Sequence, residues 1–482
     1  MKKTIYILVA LFILSSCNDW LDVAPNTDVP AKELFTTENG FMSALAGLYI
    51  VMTDEATYGK NLSFGLMEQL AQMYDKLPDG TSDRNSIYVY DRETSGAYNT
   101  KGILANTWLA QYHTIANANN LLKWWELNAS AVIAEEETRN MIRGEALALR
   151  AFLHFDLLRG WGPMNYAGSE EAKDMKCMPY RTEADHSKQP LLPAKVVVQH
   201  VISDLQEARE CMSYEKELDL SSITSERHLR FNYHAINAML ARVYNYAGVK
   251  DSAALYAKMV IDECGLSLQS GNYNDPILSN EVICGLSMYE LKDNLSEYFA
   301  YGDKIQTKYY LNLSTLNAIY ETVGSESEDM RAQGTAFHRN NELQSAISLK
   351  YIDNDKEIIP LIRLPEMYYI VCESLDGSEA ASYINSVRNK RGISKAKDVE
   401  CDTEEKKILA LNREYRKEFY GEGQYFWFLK SHGLTGTLAH NPSVTLVEEN
   451  FIFLLPDAEV EYGWTEEEGE ETDGDNPVGE EG

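Results

Sequence analysis

The cysteine at position 17 is the residue whose chemistry the sequence predicts most directly. Lys2 and Lys3 form a short basic start, residues 5–14 form an unbroken apolar run, and Ser15 and Ser16 immediately precede Cys17. Ten apolar residues make a helix of about 15 Å, roughly half of what crosses a bilayer. The pattern is therefore typical of a secretory signal peptide over residues 1–16, and the small residues before Cys17 predict lipidation of that cysteine. The alternative is an ordinary signal peptide with an unrelated cysteine.

Catalytic and metal-binding motifs are absent from the remaining sequence. It contains no G-x-S-x-G, no H-E-x-x-H, no Walker loop and no G-x-G-x-x-G. Asp353 and Asp355 suggest a calcium loop, but Ile358 occupies the position at which such a loop needs glycine. His154 lies in an apolar helical pattern, so we interpret it as a packed core histidine. We predict no catalytic residue, no metal and no cofactor, although no sequence pattern excludes a carboxylate pair among the 74 acids.

The charge of the chain argues against negatively charged partners. The formal net charge is −30, whereas nucleic acid requires clustered Lys and Arg. No Lys or Arg follows Lys430, and nine acids fall within residues 466–482. Such a segment buries too little apolar surface to offset its ordering entropy. We therefore predict that residues 464–482 form an acidic disordered tail, with an ion-binding or partner-binding arm as the alternative.

Six cysteines remain after Cys17, and they are widely spaced with no C-x-x-C motif. Export would permit disulfides, but a chain of this length does not need one to fold. We predict mostly free thiols and leave one disulfide open.

Amphipathic helices account for most of the chain between its two ends. Apolar residues recur at helical spacing over residues 106–125 and 143–161 and again after Pro193. Residues 235–247 and 252–264 predict a helical hairpin, and residues 365–388 predict another helix pair. In the first hairpin, four residues fit the tetratricopeptide pattern: Leu240, Ala241, Tyr244 and Ala253. We predict one mostly α domain with tetratricopeptide-like hairpins.

Two tyrosine-rich segments interrupt the helical patterns, at residues 74–101 and 265–313. The second includes a strand-like stretch at residues 281–289. Long insertions in a compact scaffold are usually functional or disordered, and the density of tyrosines argues against disorder. We predict that both insertions contain loops and short strands and contribute to function.

Short blocks of sequence along nearly the whole chain, from Cys17 to about residue 463, match the motifs of one known family. The blocks are residues 17–25 (CNDWLDVAP), 41–49 (FMSALAGLY), 118–121 (ANNL), 144–146 (GEA), 150–152 (RAF), 160–163 (GWGP), 350–351 (KY), 360–364 (PLIRL), 384–388 (INSVR), 413–416 (REYR), 418–424 (EFYGEGQ) and 455–456 (LP). In this order they resemble the SusD/RagB family of outer-membrane nutrient-binding lipoproteins of Bacteroidetes-type bacteria.

The resemblance implies a fold, a location and a partner. It implies a SusD-like α/α superhelix over residues 17–463, held at the cell surface of the outer membrane through lipidated Cys17. Members of the family are lids on a SusC-like TonB-dependent barrel transporter. They bind a glycan, or in some members a peptide, and present it for uptake.

Glycan binding would require aromatic plates with polar groups beside them, because sugars offer C–H faces for stacking and hydroxyls for hydrogen bonds. In the two insertions, the candidate ligand-binding residues are Tyr98, Asn99, Tyr289, Tyr298 and Tyr301. Packing of these tyrosines onto the helices is the alternative. Two other functions remain open: a surface glycan hydrolase and a helical scaffold that binds only proteins.

Overall fold

A computed structural model of the chain describes residues 31–75, 87, 100–185, 187–222, 226–270, 275–299, 309–322, 328–352, 356–438 and 440–462. The predicted signal peptide at 1–16, Cys17 and the predicted tail at 464–482 lie outside these residues, as do residues 353–355, where the sequence suggested a calcium loop. Helices dominate what is described, which confirms the predicted mostly α class. In this part of the chain, no helix combines the length and the apolar character needed to cross a membrane.

The helices, in chain order, are α1 Ala31–Leu34, α2 Glu38–Val51, α3 Leu66–Leu70, α4 Thr100–Val132, α5 Glu136–Trp161, α6 Glu170–Asp174, α7 Ala194–Cys211, α8 Tyr233–Tyr246, α9 Lys250–Glu263, α10 Leu291–Phe299, α11 Leu313–Tyr320, α12 Leu364–Ser374, α13 Gly377–Lys390, α14 Glu404–Glu418, α15 Gln424–Ser431 and α16 Asp457–Tyr462. The predicted helix at 106–125 is the inner part of α4, and the predicted helix at 143–161 is the C-terminal part of α5. Both helices extend further, because polar residues at their ends continue the backbone hydrogen bonding beyond the apolar stripe.

Helix α5 is the centre of the scaffold and packs against α2, α4 and α7. Every residue from 144 to 161 is buried. Glu136 and Glu137 in the first turn and Arg159 in the last complement the helix dipole. A Cβ at Gly144 would lie 2.7 Å from Cγ of Met212, so the glycine allows α5 and the end of α7 to approach closely.

Two helical hairpins extend the scaffold, as predicted. Helix α8 is capped at its N-terminus by Asn232, whose side chain accepts a hydrogen bond from Ala235 N, and it packs against α9. Helix α9 packs in turn on α12, which pairs with α13. The small residues Ala241 and Ala253 are fully buried, so that α8 and α9 approach closely, while the ring of Tyr244 stacks on that of Tyr256 at 5.7 Å.

The strands within the described ranges are short and pair antiparallel. They are β1 Lys176–Met178, β2 Leu192–Pro193, β3 Val282–Ser287, β4 Leu311–Asn312, β5 Phe337–Asn340, β6 Ser345–Ser348, β7 Ile358–Arg363, β8 Gly436–Leu438 and β9 Asn441–Leu446. Strand β1 pairs with β2, β3 with β7, and β8 with β9, while β6 lies between β4 and β5.

The second insertion contains more helix than its prediction as loops and short strands. Within the strand-like residues 281–289, Val282–Ser287 form β3, but α10 follows shortly afterwards at Leu291. Leu291, Leu295, Tyr298 and Phe299 are buried on one face of this helix. Their spacing of i, i+4, i+7 and i+8 is helical, and the concentration of tyrosines in this segment obscured it.

A network of buried arginines and carboxylates joins β3, β7 and the ends of α13 and α14. Its members, called here the Arg–Glu network, are Glu281, Arg331, Arg363, Arg391, Glu414, Glu418 and Glu422. Arg391 is fully buried, and its guanidinium donates to both carboxylate oxygens of Glu281 and of Glu418 at 2.6–3.0 Å. The network connects segments that are far apart in sequence.

Two further predictions from the sequence concern His154 and the cysteines. His154 is fully buried: its Nδ1 lies 2.8 Å from the carbonyl oxygen of Arg150, and its Nε2 accepts from Arg181 N at 3.0 Å. Burial lowers the pKa of His154 to about 3, so the ring is neutral and packed, as predicted. The six cysteines from Cys177 to Cys401 are free thiols, and Cys372 is fully buried in α12.

Candidate ligand-binding face

The two tyrosine-rich insertions begin and end at a common place on the scaffold. Asp75, at the start of the first insertion, donates its backbone N–H to the carbonyl oxygen of Tyr310 at 3.0 Å. Its carboxylate accepts from Asn312 N at 2.6 Å and from the Thr315 hydroxyl at 3.1 Å. Asp75 therefore connects the start of one insertion to the end of the other.

Aromatic rings fill the space beneath this junction. The set, called here the base cluster, comprises Phe64, Tyr74, Tyr298, Phe299, Tyr309, Tyr351 and Tyr420. Tyr309 is its centre: its ring stacks on Tyr74 with centroids 4.5 Å apart and on Tyr298 at 5.4 Å. Phe64 contacts Phe299 at 5.4 Å and Tyr351 at 5.6 Å. The base cluster thus packs residues from both insertions onto the scaffold.

A polar group of three residues lies at the edge of the base cluster. The Tyr298 hydroxyl lies 3.3 Å from both Lys60 Nζ and Glu55 Oε1, and Lys60 forms an ion pair with Glu55. Burial lowers the pKa of Lys60, but hydrogen bonding to Glu55 and the nearby Tyr298 outweigh it, and the net pKa is raised. The ammonium group is therefore charged at neutral pH. These residues offer a ligand hydrogen-bond donors and acceptors beside apolar rings.

Of the five candidate tyrosine and asparagine residues, the structure describes two. Tyr298 is only 7% exposed, so its ring belongs to the base cluster and its hydroxyl to the polar edge. Tyr289 is 76% exposed and follows β3. Tyr289 lies two residues before α10 and Tyr298 lies in its last turn, so the helix rise separates them by roughly 10 Å along its axis and they do not form one contact point. Tyr98, Asn99 and Tyr301 lie outside the described residues.

Nothing in the sequence identifies Glu55 and Lys60 as part of this face. Both precede the first insertion, in a segment without a clear helical or strand period, and neither belongs to a ligand-binding motif. Tyr74 and Tyr309 fall within the two tyrosine-rich segments, but nothing in their spacing indicates that their rings stack. A contact between residues more than 200 positions apart has no signal in one sequence.

The carboxylates described around this face are held in structural or paired roles. Asp75 accepts the two hydrogen bonds given above, and Glu55 is paired with Lys60. Glu68 is fully buried behind the base cluster and accepts from Gly423 N at 2.8 Å. A glycoside hydrolase needs two carboxyl groups on either side of the scissile bond. Asp75, Glu55 and Glu68 each already have a structural or paired role.

Two family models match most of the chain. Residues 19–245 match a model described as "Starch-binding associating with outer membrane" (SusD-like_3), and residues 274–432 match the model of the SusD family (SusD_RagB).

Curated relatives match parts of the chain. SusD-like protein P38 of Formosa agariphila is 26% identical over 286 residues, which are 58% of this chain and 49% of the relative. SusD-like protein P2 of the same organism is 27% identical over 213 residues, covering 43% and 38%. The chain thus spans less than half the length of either relative.

Solved structures share the fold over nearly its whole length. A SusD superfamily protein of Bacteroides vulgatus superposes with a TM-score of 0.67 at 16% identity, covering 89% of this chain and 98% of that one. One from Bacteroides thetaiotaomicron gives 0.65 at 20% identity, covering 88% and 98%.

Proposed function

The chain belongs to the SusD/RagB family, and from this premise we propose that it is a surface lipoprotein that captures a glycan for import. In this proposal it delivers the glycan to a SusC-like TonB-dependent transporter of the outer membrane. The observation that carries the proposal is the match of residues 19–245 to a family described as starch-binding and outer-membrane-associated. The chain is divided accordingly into a signal peptide at 1–16, a binding domain at 17–463 and an acidic tail at 464–482.

The geometry of the insertions supports the ligand-binding part of this proposal. The first insertion starts and the second ends at the junction around Asp75, beside stacked tyrosines and a charged polar edge. Aromatic rings with adjacent hydrogen-bonding groups suit sugars, whose C–H faces stack while their hydroxyls bind polar partners. Binding rather than turnover fits the paired carboxylates of this face. We propose Tyr98, Asn99, Tyr289, Tyr298 and Tyr301 as contact residues.

Binding to a panel of oligosaccharides and peptides, measured by calorimetry on the full mature chain, tests the proposed function. Saturable binding of an oligosaccharide without its cleavage is expected. Binding of peptides alone would replace glycan with peptide import, and product formation would make the protein a hydrolase. Isolation of the tagged chain from outer membranes should recover a barrel transporter. Genes for glycoside hydrolases beside that of the transporter would agree with a glycan ligand.

Replacing Cys17 with alanine should release the protein from membranes. The residue is the proposed acylation site, and firm anchoring of a soluble domain requires two or more acyl chains. Membrane fractionation and metabolic labelling with a fatty acid provide the measurement. Cys211→Ala, which removes a half-buried thiol in α7, is the matched control and should stay in the membrane fraction. A Cys17→Ala protein that remained acylated and membrane-bound would refute the anchor.

Removing insertion tyrosines should weaken glycan binding without unfolding the protein. Loss of one stacked ring at Tyr98 should cost about 1 kcal/mol, a several-fold increase in Kd, and Tyr98→Ala with Tyr301→Ala should cost more. Titration calorimetry with the identified ligand measures this. Tyr214→Ala, at an exposed tyrosine of the helical scaffold, is the control. Unchanged affinity in the double variant would place the site elsewhere.

Tyr298 requires a different substitution, because its ring packs in the base cluster. Tyr298→Phe keeps the ring and removes only the hydroxyl that faces Lys60 and Glu55. The same titration would then report on the polar edge alone, with thermal melting as the check on folding.

A further inference from the structure

Two of the free cysteines lie against each other in the helical scaffold, away from the ligand-binding face. Cys372 is in α12 and is fully buried, while Cys401 is 3% exposed and lies in the connection between α13 and α14. Their side chains form a hydrogen bond in which the thiol of Cys372 donates to the sulfur of Cys401. These two residues are called here the buried thiol pair.

Hydrogen bonds hold the backbone around the buried thiol pair in place. Gly377 N donates to the carbonyl oxygen of Cys401 at 3.0 Å, which keeps Cys401 beside the turn that follows α12. Two residues earlier, the side chain of Asn385 binds both the N–H and the carbonyl oxygen of Val399, each at 2.9 Å. A disulfide forms without strain only where two cysteines are already close and face each other. Here the side chains are in contact, and the anchored connection keeps them so.

The two thiols differ in acidity. Hydrogen bonding to Cys401, together with burial, raises the pKa of the Cys372 thiol. The hydrogen bond from Cys372 and the nearby ammonium group of Lys407 outweigh burial and the charge of Asp402, so the pKa of the Cys401 thiol is lowered. The Lys407 ammonium is itself held by Asp376 Oδ1 at 3.0 Å. Because the thiolate is the attacking species in thiol–disulfide exchange, Cys401 is the residue that reacts first.

We propose that Cys372 and Cys401 are joined by a disulfide in the exported protein. Disulfides form and persist in the oxidising periplasm and at the cell surface, whereas cytosolic thiols are kept reduced. The inference therefore rests on export, which is one part of the proposed function, but not on the ligand or on the transporter. The bond would enclose α13 in a covalent loop and tie α12 to the segment that leads into α14.

The oxidant is an oxidised dithiol protein, which carries a disulfide of its own. The thiolate of Cys401 attacks one sulfur of that disulfide, and the other sulfur leaves as a thiolate and takes up a proton. The thiolate of Cys372 then attacks the sulfur of Cys401 in the mixed disulfide and expels the remaining carrier sulfur, which is protonated in turn. Two electrons and two protons thus pass from the buried thiol pair to the carrier. Since both cysteines are almost inaccessible in the folded protein, the exchange must accompany folding.

Peptide mapping of the chain isolated from outer membranes, after alkylation of free thiols in denaturant, tests the proposal. Trypsin should release residues 364–388 and 398–406 as one linked product, which reduction separates into two. Of the six cysteines from Cys177 to Cys401, four should be alkylated in the wild type. Cys401→Ala should show five alkylated cysteines, one more than the wild type although it has one cysteine fewer. Cys211→Ala, at a half-buried single thiol, is the control and should show three with the linked product intact.

The possible failures separate this proposal from the proposed function. Alkylation of all six cysteines in a protein that fractionates with the outer membrane would overturn the disulfide and leave the capture function untouched. A linked product between other cysteines would overturn it as well. A chain found only in the cytoplasm would instead refute export. Refolding of the purified chain with glutathione disulfide then decides: the same two peptides should link, and their failure to link would overturn the pairing itself.

Discussion

Glu418→Gln is expected to lower the free energy of unfolding by about 3–5 kcal/mol, because it removes the charge that three buried guanidinium groups share. Glu418 is fully buried. Its carboxylate accepts from Arg363 at 2.8 Å, from Arg391 at 2.7 and 3.0 Å, and from Arg331 at 3.0 Å. Breaking a buried ion pair by removing one partner leaves uncompensated charge in the interior. Urea unfolding followed by circular dichroism measures the change.

The pH dependence of this difference has a definite sign. Burial raises the pKa of Glu418, but Arg391 and Arg363 outweigh it and hold the pKa well below its ordinary value of 4.5. A carboxylate with a depressed folded pKa contributes stability that is present above the unfolded pKa and lost as pH falls through the folded value. The gap between the wild type and Glu418→Gln should therefore be full at pH 7 and should narrow below about pH 4.5.

An exposed ion pair provides the control for Glu418. Glu379 lies 3.4 Å from Lys258; its own side chain is largely in solvent, and that of Lys258 is partly exposed. Glu379→Gln should change stability by about 0–1 kcal/mol, the usual range for surface pairs. An equally small effect of Glu418→Gln would mean that the Arg–Glu network is dispensable for stability.

The sequence identified several members of this network without revealing their role. Arg363, Glu418 and Glu422 fall within the blocks that resemble the SusD/RagB family, yet charged residues are by default expected on the surface. Their pairing could not be foreseen, because Glu281 and Arg391 are separated by 110 positions. Which buried charges meet is decided by the packing of whole helices and strands.

The helices were predicted more readily than the face they support. Periods of 3.6 residues are local, so α4, α5, α7 and both hairpins could be inferred from spacing alone. The meeting of the two insertions depends on Asp75 reaching Tyr310 and Asn312, which no local pattern indicates. Helix α10 was not predicted, although its apolar spacing is helical. Strand β3 precedes it, and tyrosines, which favour strands, lie before and within it. The proposed function was inferred from the ordered blocks that resemble the SusD/RagB family, and not from any single motif.

Glu68→Gln is expected to stabilise the protein at pH 8 and to have little effect at pH 5. Glu68 lies in α3 and is fully buried; its Oε1 accepts from Gly423 N, and its Oε2 has no hydrogen-bond partner among the described residues. Burial raises the pKa of its carboxyl to about 7, despite the opposing backbone N–H groups of Gly421 and Gly423 and the charge of Lys350. At pH 8 the folded protein therefore holds a buried carboxylate that burial disfavours.

The sign and size of the effect follow from the difference between the folded and unfolded pKa values. The folded state binds the proton more tightly, so the wild type is most stable below the unfolded pKa of about 4.5 and loses stability as pH rises to about 7. At 1.36 kcal/mol per pKa unit, this loss is up to about 3 kcal/mol. Glutamine is neutral at every pH and keeps an oxygen for Gly423 N, so the variant should escape the loss.

Urea unfolding of both proteins at pH 5 and pH 8 distinguishes this account from a simple packing effect. Glu126→Gln, at an exposed position within α4, is the matched control and should behave like the wild type at both pH values. If Glu68→Gln shifts stability equally at pH 5 and pH 8, the carboxyl does not titrate between them and the charge argument fails. If it destabilises the protein only at pH 8, the carboxylate is held by a partner that the amide cannot replace. A gain confined to pH 8 would establish Glu68 as a buried acid beneath the ligand-binding face, whose ionisation weakens the scaffold on which both insertions rest.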